Sequence, residues 1–581
     1  MCGILGAVSH RLDHDQFSRA LSSLEHRGPD HKSIFSGDGV WLGHTRLAIN
    51  DLSREANQPF FDTQSGCTVV FNGEIYNYRS LRKELGHTGA FYTDCEAEVL
   101  ARLYSMLGEA MPEKLDGMFA FVIFDPMNNR LFGARDRLGK KPFFFHLADG
   151  QGEFYFASEL KAFRHFPVPR SLDTRILDNI LNFTHFCGES ILQGIHALPA
   201  GGAFTIDLTP FKFQQRSYFE LSELINAEEH SHWRKIGIEA ATHELFARLN
   251  HSVEKRLISD VPVAIIASGG LDSSLVSSLA NHHGRYDLLH IDSVDSSELC
   301  DAKAMSQALN VTLKTDRLDY ARFCELLGET ISHWEYPLVH TNATGILLVA
   351  RLARQEGYKV VLGGEGADEL FGGYPHHKQY RLAQMISSAL SWVPTSLAQS
   401  LVYARSDNKG GNAEPTIQHI MNRHDFSVYY DRYEFIQHDF DRKMHAFMAT
   451  DMNDYLVPLL SRADRMTMAS GVEMRLPFLD MEVIKMALNL PMSYKISYFQ
   501  QKRILRSLAR DKLPHINRNK SKVGFTVNYA KRFLEDVQPD RLPHLENYIP
   551  TEIIMKSLKQ RGQYHKMFRL YSLDQVCGQL L

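Results

Sequence analysis

The chain has 581 residues, 44% of them apolar, with 64 Lys and Arg against 68 Asp and Glu for a net charge of −4. That length allows several domains with sizeable cores, and the composition is that of a soluble globular protein, which excludes wholesale disorder or a fibrous repeat. The balanced charge excludes a partner read through bulk electrostatics, so neither nucleic acid nor an anionic membrane is expected.

Through the first two hundred residues, short apolar runs between turn signals predict strands at 39–44, 68–71, 119–124, 130–134, 142–146, 153–157 and 202–207. Helical patterns at 16–24 and 96–107 interrupt them. This reads as a layered α+β domain over residues 1–210. From about Phe211 the pattern changes to long amphipathic helices around buried β runs at 263–267 and 359–362, each followed by a Gly-rich turn and a helix. That is the pattern of an open α/β nucleotide-binding sheet, and it sets the second domain at 211–581. From Leu370 onward the chain reads as mostly helical, with an exposed loop at 405–415.

The apolar run 261–267 falls far short of the ~20 residues that cross a bilayer. The Met-Cys-Gly-Ile-Leu-Gly start lacks the basic region of a signal peptide, so a cytoplasmic location is expected. Seven cysteines are scattered without a Cys-x-x-Cys pair, so neither a disulfide framework nor a structural zinc is expected.

Cys2 follows an initiator methionine whose removal leaves an α-amine beside a thiol. That amine, with an ordinary pKa of about 7.7–8.0, takes the thiol's proton as sulfur attacks an amide carbonyl, so no separate histidine is needed. Asn72-Gly73 adds a side-chain amide and a backbone N–H, the two donors an oxyanion hole wants. Standing alone, an Asn-Gly pair reads as a turn.

Met1-Cys2-Gly3-Ile4-Leu5-Gly6, His26-Arg27-Gly28-Pro29-Asp30 and Asn72-Gly73-Glu74-Ile75-Tyr76-Asn77 together resemble the glutaminase domain of class II glutamine amidotransferases. The resemblance implies an α+β N-terminal-nucleophile hydrolase domain of layered sheets with helices, which splits glutamine into glutamate and ammonia through a thioester. It implies Cys2 as nucleophile, Asn72 and Gly73 as oxyanion hole, Arg46 as the grip on the glutamine α-carboxylate, and Glu74 with Glu96 at the substrate's amino end. Where the family has Ser-Asp-Thr-Glu, this chain reads Cys95-Glu96-Ala97-Glu98, one methylene longer at the carboxylate that meets the ammonium.

Ser268-Gly269-Gly270-Leu271-Asp272-Ser273-Ser274 follows a buried β run and opens a helix, presenting N–H groups and hydroxyls to an anion at the helix N-terminus. The run 359–362 ends in Gly363-Gly364-Glu365-Gly366-Ala367-Asp368, a second strand-to-helix turn able to face the first across the sheet's carboxyl edge. Asp272 and Asp368 are then placed to share Mg2+ on phosphates, since a hard cation takes carboxylate oxygens.

The first of these strings resembles the pyrophosphate loop of ATP pyrophosphatases. Together with Asp464-Arg465, Gly471-Val472-Glu473-Met474-Arg475-Leu476-Pro477-Phe478-Leu479-Asp480 and Lys502-Arg503-Ile504-Leu505-Arg506, it makes the chain similar to glutamine-hydrolysing asparagine synthetases from Cys2 to about Phe525. The likeness implies an α/β ATP-pyrophosphatase domain with a largely helical C-terminal part, and ATP and Mg2+ as cofactors. Glutamine and a carboxylic acid are the implied substrates, and a homodimer the implied assembly. Ala267, Ser268, Gly269, Gly270, Asp272, Ser273, Ser274, Ile291, Gly363 and Gly364 would hold ATP, Glu365 would assist acyl-adenylate formation, and Lys502 would stabilise developing negative charge. Arg462 would meet the acceptor. The implied reaction releases AMP and PPi and passes ammonia through a shielded tunnel to the acyl-adenylate.

Aspartate is that family's usual acceptor. Leu459 stands where some bacterial members carry an aspartate for the substrate ammonium, and Gly363 replaces a commoner serine. Removing a carboxylate that pairs a buried ammonium costs roughly 3–5 kcal/mol if nothing replaces it. Amidotransfer onto another carboxylic acid, such as a sugar acid or a secondary metabolite, is therefore the first alternative, and the unfamiliar Trp334-Glu335-Tyr336-Pro337 stretch also favours it. An intramolecular amide former with an inert glutaminase domain is the second, and a non-catalytic nucleotide- or glutamine-binding protein the third. His282-His283 and His376-His377 read as loop or helix-surface residues, and the basic run 518–522 as a solvated or phosphate-facing loop.

Overall fold

The computed structural model describes residues 2–148, 152–177, 190–293, 298–389, 424–512, 529–537, 541–550 and 564–581, together with residues 527, 539 and 552. The expected loop 405–415 and the basic run 518–522 lie outside these residues.

Two six-stranded sheets make the first domain. One runs Ile195–Ala197, Phe144–Ala148, Glu153–Ala157, Cys2–Val8, Val40–Arg46, His31–Gly37, with each neighbouring pair antiparallel. The other runs Phe211–Ser217, Gly202–Leu208, Arg130–Arg135, Gly117–Asp125, Thr68–Ile75, Phe60–Phe61, again antiparallel. Side chains alternate across a strand, and here both faces are apolar. Ile4 and Val8 meet Val70, Val122 and Phe124 between the sheets, while Leu5 and Ala7 turn outward to Phe17 and Leu21 of the helix His14–Ser22. On the far side Val69 and Phe71 meet Leu100 and Leu103 of the helix Glu96–Leu107. The result is a helix, sheet, sheet, helix stack, as expected for this α+β class.

The predicted division at residue 210 cuts a hairpin. Phe211–Ser217 pairs with Gly202–Leu208 along its whole length, so the sheet continues to Ser217. Its outward residues are exposed, which leaves only weak apolar alternation to read.

The second domain holds a five-stranded sheet in the order Leu313–Leu318, Leu288–Ser293, Val263–Ile266, Val360–Leu362, Glu473–Arg475, every neighbouring pair parallel. Parallel strands covered by helices on both faces read as continuous apolar runs, and 263–266 and 360–362 do so. Helices dominate from Ala367 onward among the described residues.

Buried ions fasten the two domains together. Arg27 pairs with Asp464 at 2.8 Å and Lys141 with the same carboxylate at 3.1 Å. Glu335 accepts the Leu160 and Lys161 amides at 2.8 Å each and pairs with Arg465. The Trp334-to-Pro337 stretch thus serves the domain junction.

Candidate active site

Cys2 begins a central strand and lies opposite Arg46 in register. Its backbone nitrogen donates to Asn72 Oδ1 at 3.0 Å, and Asn72 Nδ2 is buried with no hydrogen-bond partner. The amide is thereby fixed at one end and offers a donor at the other. A Cβ at residue 73 would lie 2.0 Å from the Met118 carbonyl oxygen, so the strand packed against it admits only glycine. Burial pushes the Cys2 thiol pKa up, while the chain's amino terminus and Arg46 oppose that rise.

Arg46 is buried and donates to the Ser53 carbonyl at 2.7 Å, to Asn57 Oδ1 at 2.8 Å and to the Asp51 carbonyl. Among the described residues no carboxylate pairs with it, so its charge is positioned by neutral acceptors and left for an anion. Asn50 Nδ2 donates to Glu74 at 2.6 Å and to Glu96 at 3.1 Å, bringing two buried carboxylates to one amide. Burial raises the pKa of both, and for Glu74 the charge of Glu96 adds to the effect. An ammonium group between them relieves that repulsion. Glu98 plays a different part, accepting the Tyr92 and Thr93 amides and pairing with Arg102, which anchors the segment before Glu96.

Two residues that sequence reading did not assign to this pocket come from the other domain. Arg475 pairs with Glu74 at 2.8 Å and with Glu473 at 2.5 Å. Because strand side chains alternate, Met474 between them faces the other way, and its Sδ lies 3.2 Å from a Cβ built at Gly363.

Parallel pairing brings the second set of predicted residues to one sheet edge. Val263–Ile266 lies between Leu288–Ser293 and Val360–Leu362, so Ala267, Ile291 and Gly363 sit at neighbouring strand ends, where open α/β sheets bind ligands. Gly269 has φ +73° and its Cβ would meet the Glu298 carbonyl at 2.6 Å. Gly270 caps the helix Leu271–Asn281, whose first turns carry Asp272, Ser273 and Ser274. Ser268 Oγ and Ser273 Oγ are 3.0 Å apart. A Cβ at Gly364 would lie 3.0 Å from the Ser273 nitrogen, so the two turns close into one cradle.

Lys502 is buried, with its Nζ 2.6 Å from Asp272 and 2.6 Å from Asp368. Burial pulls its pKa down, but the two carboxylates carry it above the ordinary lysine range. The place between Asp272 and Asp368 is therefore built for positive charge, and the donor set fits Mg2+ on phosphate. His290, also unassigned from sequence, donates from Nδ1 to the Ala267 carbonyl at 2.7 Å, and its Nε2 is buried without a partner.

Glu365 and Arg462 face the same space. Glu365 Oε2 and Arg462 Nε are both buried with no hydrogen-bond partner, and Arg462 is steadied by Asn342 Oδ1 at 3.0 Å. Burial raises the Glu365 pKa, with Arg462 opposing. Leu459 lies on the same helix, Leu456–Met468, half-buried. The pair His376-His377 is not on the surface. Both rings are buried at the start of the helix Pro375–Ala389 and contact Asp451.

A sheet sandwich with an N-terminal thiol, joined to a parallel sheet with two Gly-rich turns at its carboxyl edge, defines a glutamine amidotransferase coupled to an ATP-dependent ligase. A family model described as "Glutamine amidotransferase domain" matches residues 1–219, and one described as "Asparagine synthase" matches residues 244–576. The chain belongs to the asparagine synthase family, and the match runs well beyond Phe525. It is 29% identical to "Asparagine synthetase [glutamine-hydrolyzing] 1" of Bacillus subtilis, over 91% of this chain and 87% of that one. It is 27% identical to "Putative asparagine synthetase [glutamine-hydrolyzing] 1" of Methanocaldococcus jannaschii, over 99% and 96%. It is also 28% identical to a protein named "Amidase chyE" of Penicillium rubens, over 85% and 82%. No helix among the described residues is long and apolar enough to cross a membrane.

Proposed function

We propose that this enzyme converts aspartate to asparagine, with glutamine as nitrogen donor and ATP cleaved to AMP and PPi. Cys2 attacks the glutamine carboxamide, the α-amine freed by removal of Met1 holds the thiol's proton, and Asn72 Nδ2 with the Gly73 N–H receives the oxyanion. Arg46 binds the α-carboxylate, and Glu74 with Glu96 binds the α-ammonium. Bound Mg2+ neutralises phosphate charge and aligns the phosphates. Asp272 and Asp368 hold that charge in place, the turns at Ser268 to Ser274 and Gly363-Gly364 cradle the nucleotide, and Lys502 meets the negative charge that develops as the acceptor carboxylate attacks.

The observation that carries the acceptor half is the buried pair of unpartnered groups, Arg462 Nε and Glu365 Oε2. A cation and an anion in one pocket suit a zwitterionic acid. Arg462 takes one carboxylate of aspartate and Glu365 faces its ammonium side, a role that makes the Leu459 substitution tolerable. The test is PPi release with ATP, Mg2+ and ammonium, with and without aspartate, with mass detection of asparagine. Aspartate-dependent PPi together with asparagine supports the reading, and no aspartate dependence overturns it. The relative named as an amidase of Penicillium rubens favours a second reading, amidation of another carboxylic acid by the same groups. On that reading Cys2 still releases glutamate from glutamine while aspartate elicits no PPi.

A further inference from the structure

His376 and His377 start the helix Pro375–Ala389, and Asp451 lies on the helix Asp439–Asp454 that packs against it. The Nε2 atoms of the two histidines are 3.2 and 2.8 Å from the same Asp451 Oδ2. All three side chains are buried, and their donor atoms lie within 4.8 Å of one another. Nitrogen and oxygen ligands at ~2.0–2.2 Å from one tetrahedral ion stand only ~3.5 Å apart, so little movement separates this arrangement from a coordination shell.

The kind of partner on the carboxylate separates this cluster from the other one of its type. The side-chain partners of the Asp451 carboxylate are the two imidazoles, with no lysine or arginine on it among the described residues. Its ion-pair partners are imidazoles, whose ring nitrogens can take a metal ion in place of a proton. The trio His26, Glu159 and His333 offers the same donor types, but there Arg27 at 2.8 Å and Lys161 at 3.0 Å already neutralise the carboxylate. A dication is repelled at Glu159 and attracted at Asp451. The Phe447 ring stands edge-on to both imidazoles, and Tyr374 stacks on His376, so the site is walled by rings.

We infer that His376, His377 and Asp451 bind a structural zinc ion, separate from the Asp272 and Asp368 pair. Two imidazoles and a carboxylate are borderline donors that suit Zn2+ over Mg2+, and a water would complete the fourth position. The ion ties the helix that follows the second nucleotide turn to Asp439–Asp454, which leads directly into the Arg462 helix Leu456–Met468.

The test is titration of Zn2+ into the full-length, chelator-stripped protein in saturating Mg2+, competed with a chromophoric chelator. One tight site is expected, weakened in His376→Gln and in His377→Gln by more than the ~10–100-fold that outer-shell changes give, and unchanged in His333→Gln. Co2+ loaded into the unaltered protein should show the visible absorption of a four-coordinate site, so the inference does not depend on the variants folding. Absence of a tight site, or equal affinity in His377→Gln, overturns it.

Discussion

Arg475, on the edge strand of the synthetase sheet, holds Glu74 of the glutaminase sheet in a 2.8 Å ion pair, and its own carbonyl accepts the Gly363 amide at 2.9 Å. One residue therefore touches both a carboxylate proposed to meet glutamine's amino end and the turn proposed to hold ATP. Arg475→Lys keeps the charge but loses the fork that also reaches Glu473 and the Arg256 and Ile258 carbonyls. We expect the KM for glutamine to rise about tenfold, while ammonium-driven synthesis keeps most of its kcat. Steady-state assays with each nitrogen source check this. Arg475→Met should lower unfolding stability by about 3–5 kcal/mol, because Glu473, which Arg475 holds ionised, is left charged and buried.

Lys502 between Asp272 and Asp368 predicts a selective defect. Lys502→Met should cut PPi release by about 100-fold or more, while glutamine hydrolysis at Cys2 changes little. Parallel assays of PPi and glutamate on one preparation separate the two half-reactions.

Gly363 leaves room for the Glu365 carboxylate, since a Cβ there would lie 2.3 Å from Glu365 Oε2. Gly363→Ser should displace that flexible carboxylate and lower kcat for adenylate formation by about tenfold, with ATP binding largely kept. Rapid-quench measurement of PPi against equilibrium ATP binding distinguishes the two.

His44, across the strand from Ile4, is buried against the Phe71 carbonyl, and burial pulls its pKa down to about 3. In the unfolded chain the ring titrates near 6.5, so between these values the unfolded state binds the extra proton. Stability is then full above about pH 6.5 and falls as pH drops toward 3. His44→Gln keeps an N–H donor for Phe71 and removes the titration. Denaturant midpoints from pH 7 to pH 4 should fall less steeply in that variant.

Local pattern made much of this readable. Cys2, the strand at 68–71 that leads into Asn72-Gly73, and both Gly-rich turns announce themselves because each chemistry needs particular residue types in short sequence. What stayed hidden depends on distance along the chain. Asn50 is recognisable only once Glu74 and Glu96 arrive beside it, and Arg475 reaches Glu74 from 401 residues away. Two adjacent histidines in a polar stretch look superficial until Asp451, 74 residues on from His377, buries them. The strand Phe211–Ser217 escaped because its sheet edge faces solvent on alternate residues.

The most direct test of the account is transfer of a labelled amide. With glutamine carrying 15N in its carboxamide, ATP, Mg2+ and aspartate, the enzyme should place 15N in the side-chain amide of asparagine. Cys2→Ala should place none, yet should form labelled asparagine from 15N-ammonium. Asparagine without label from the intact enzyme, or unchanged transfer in Cys2→Ala, would contradict the account.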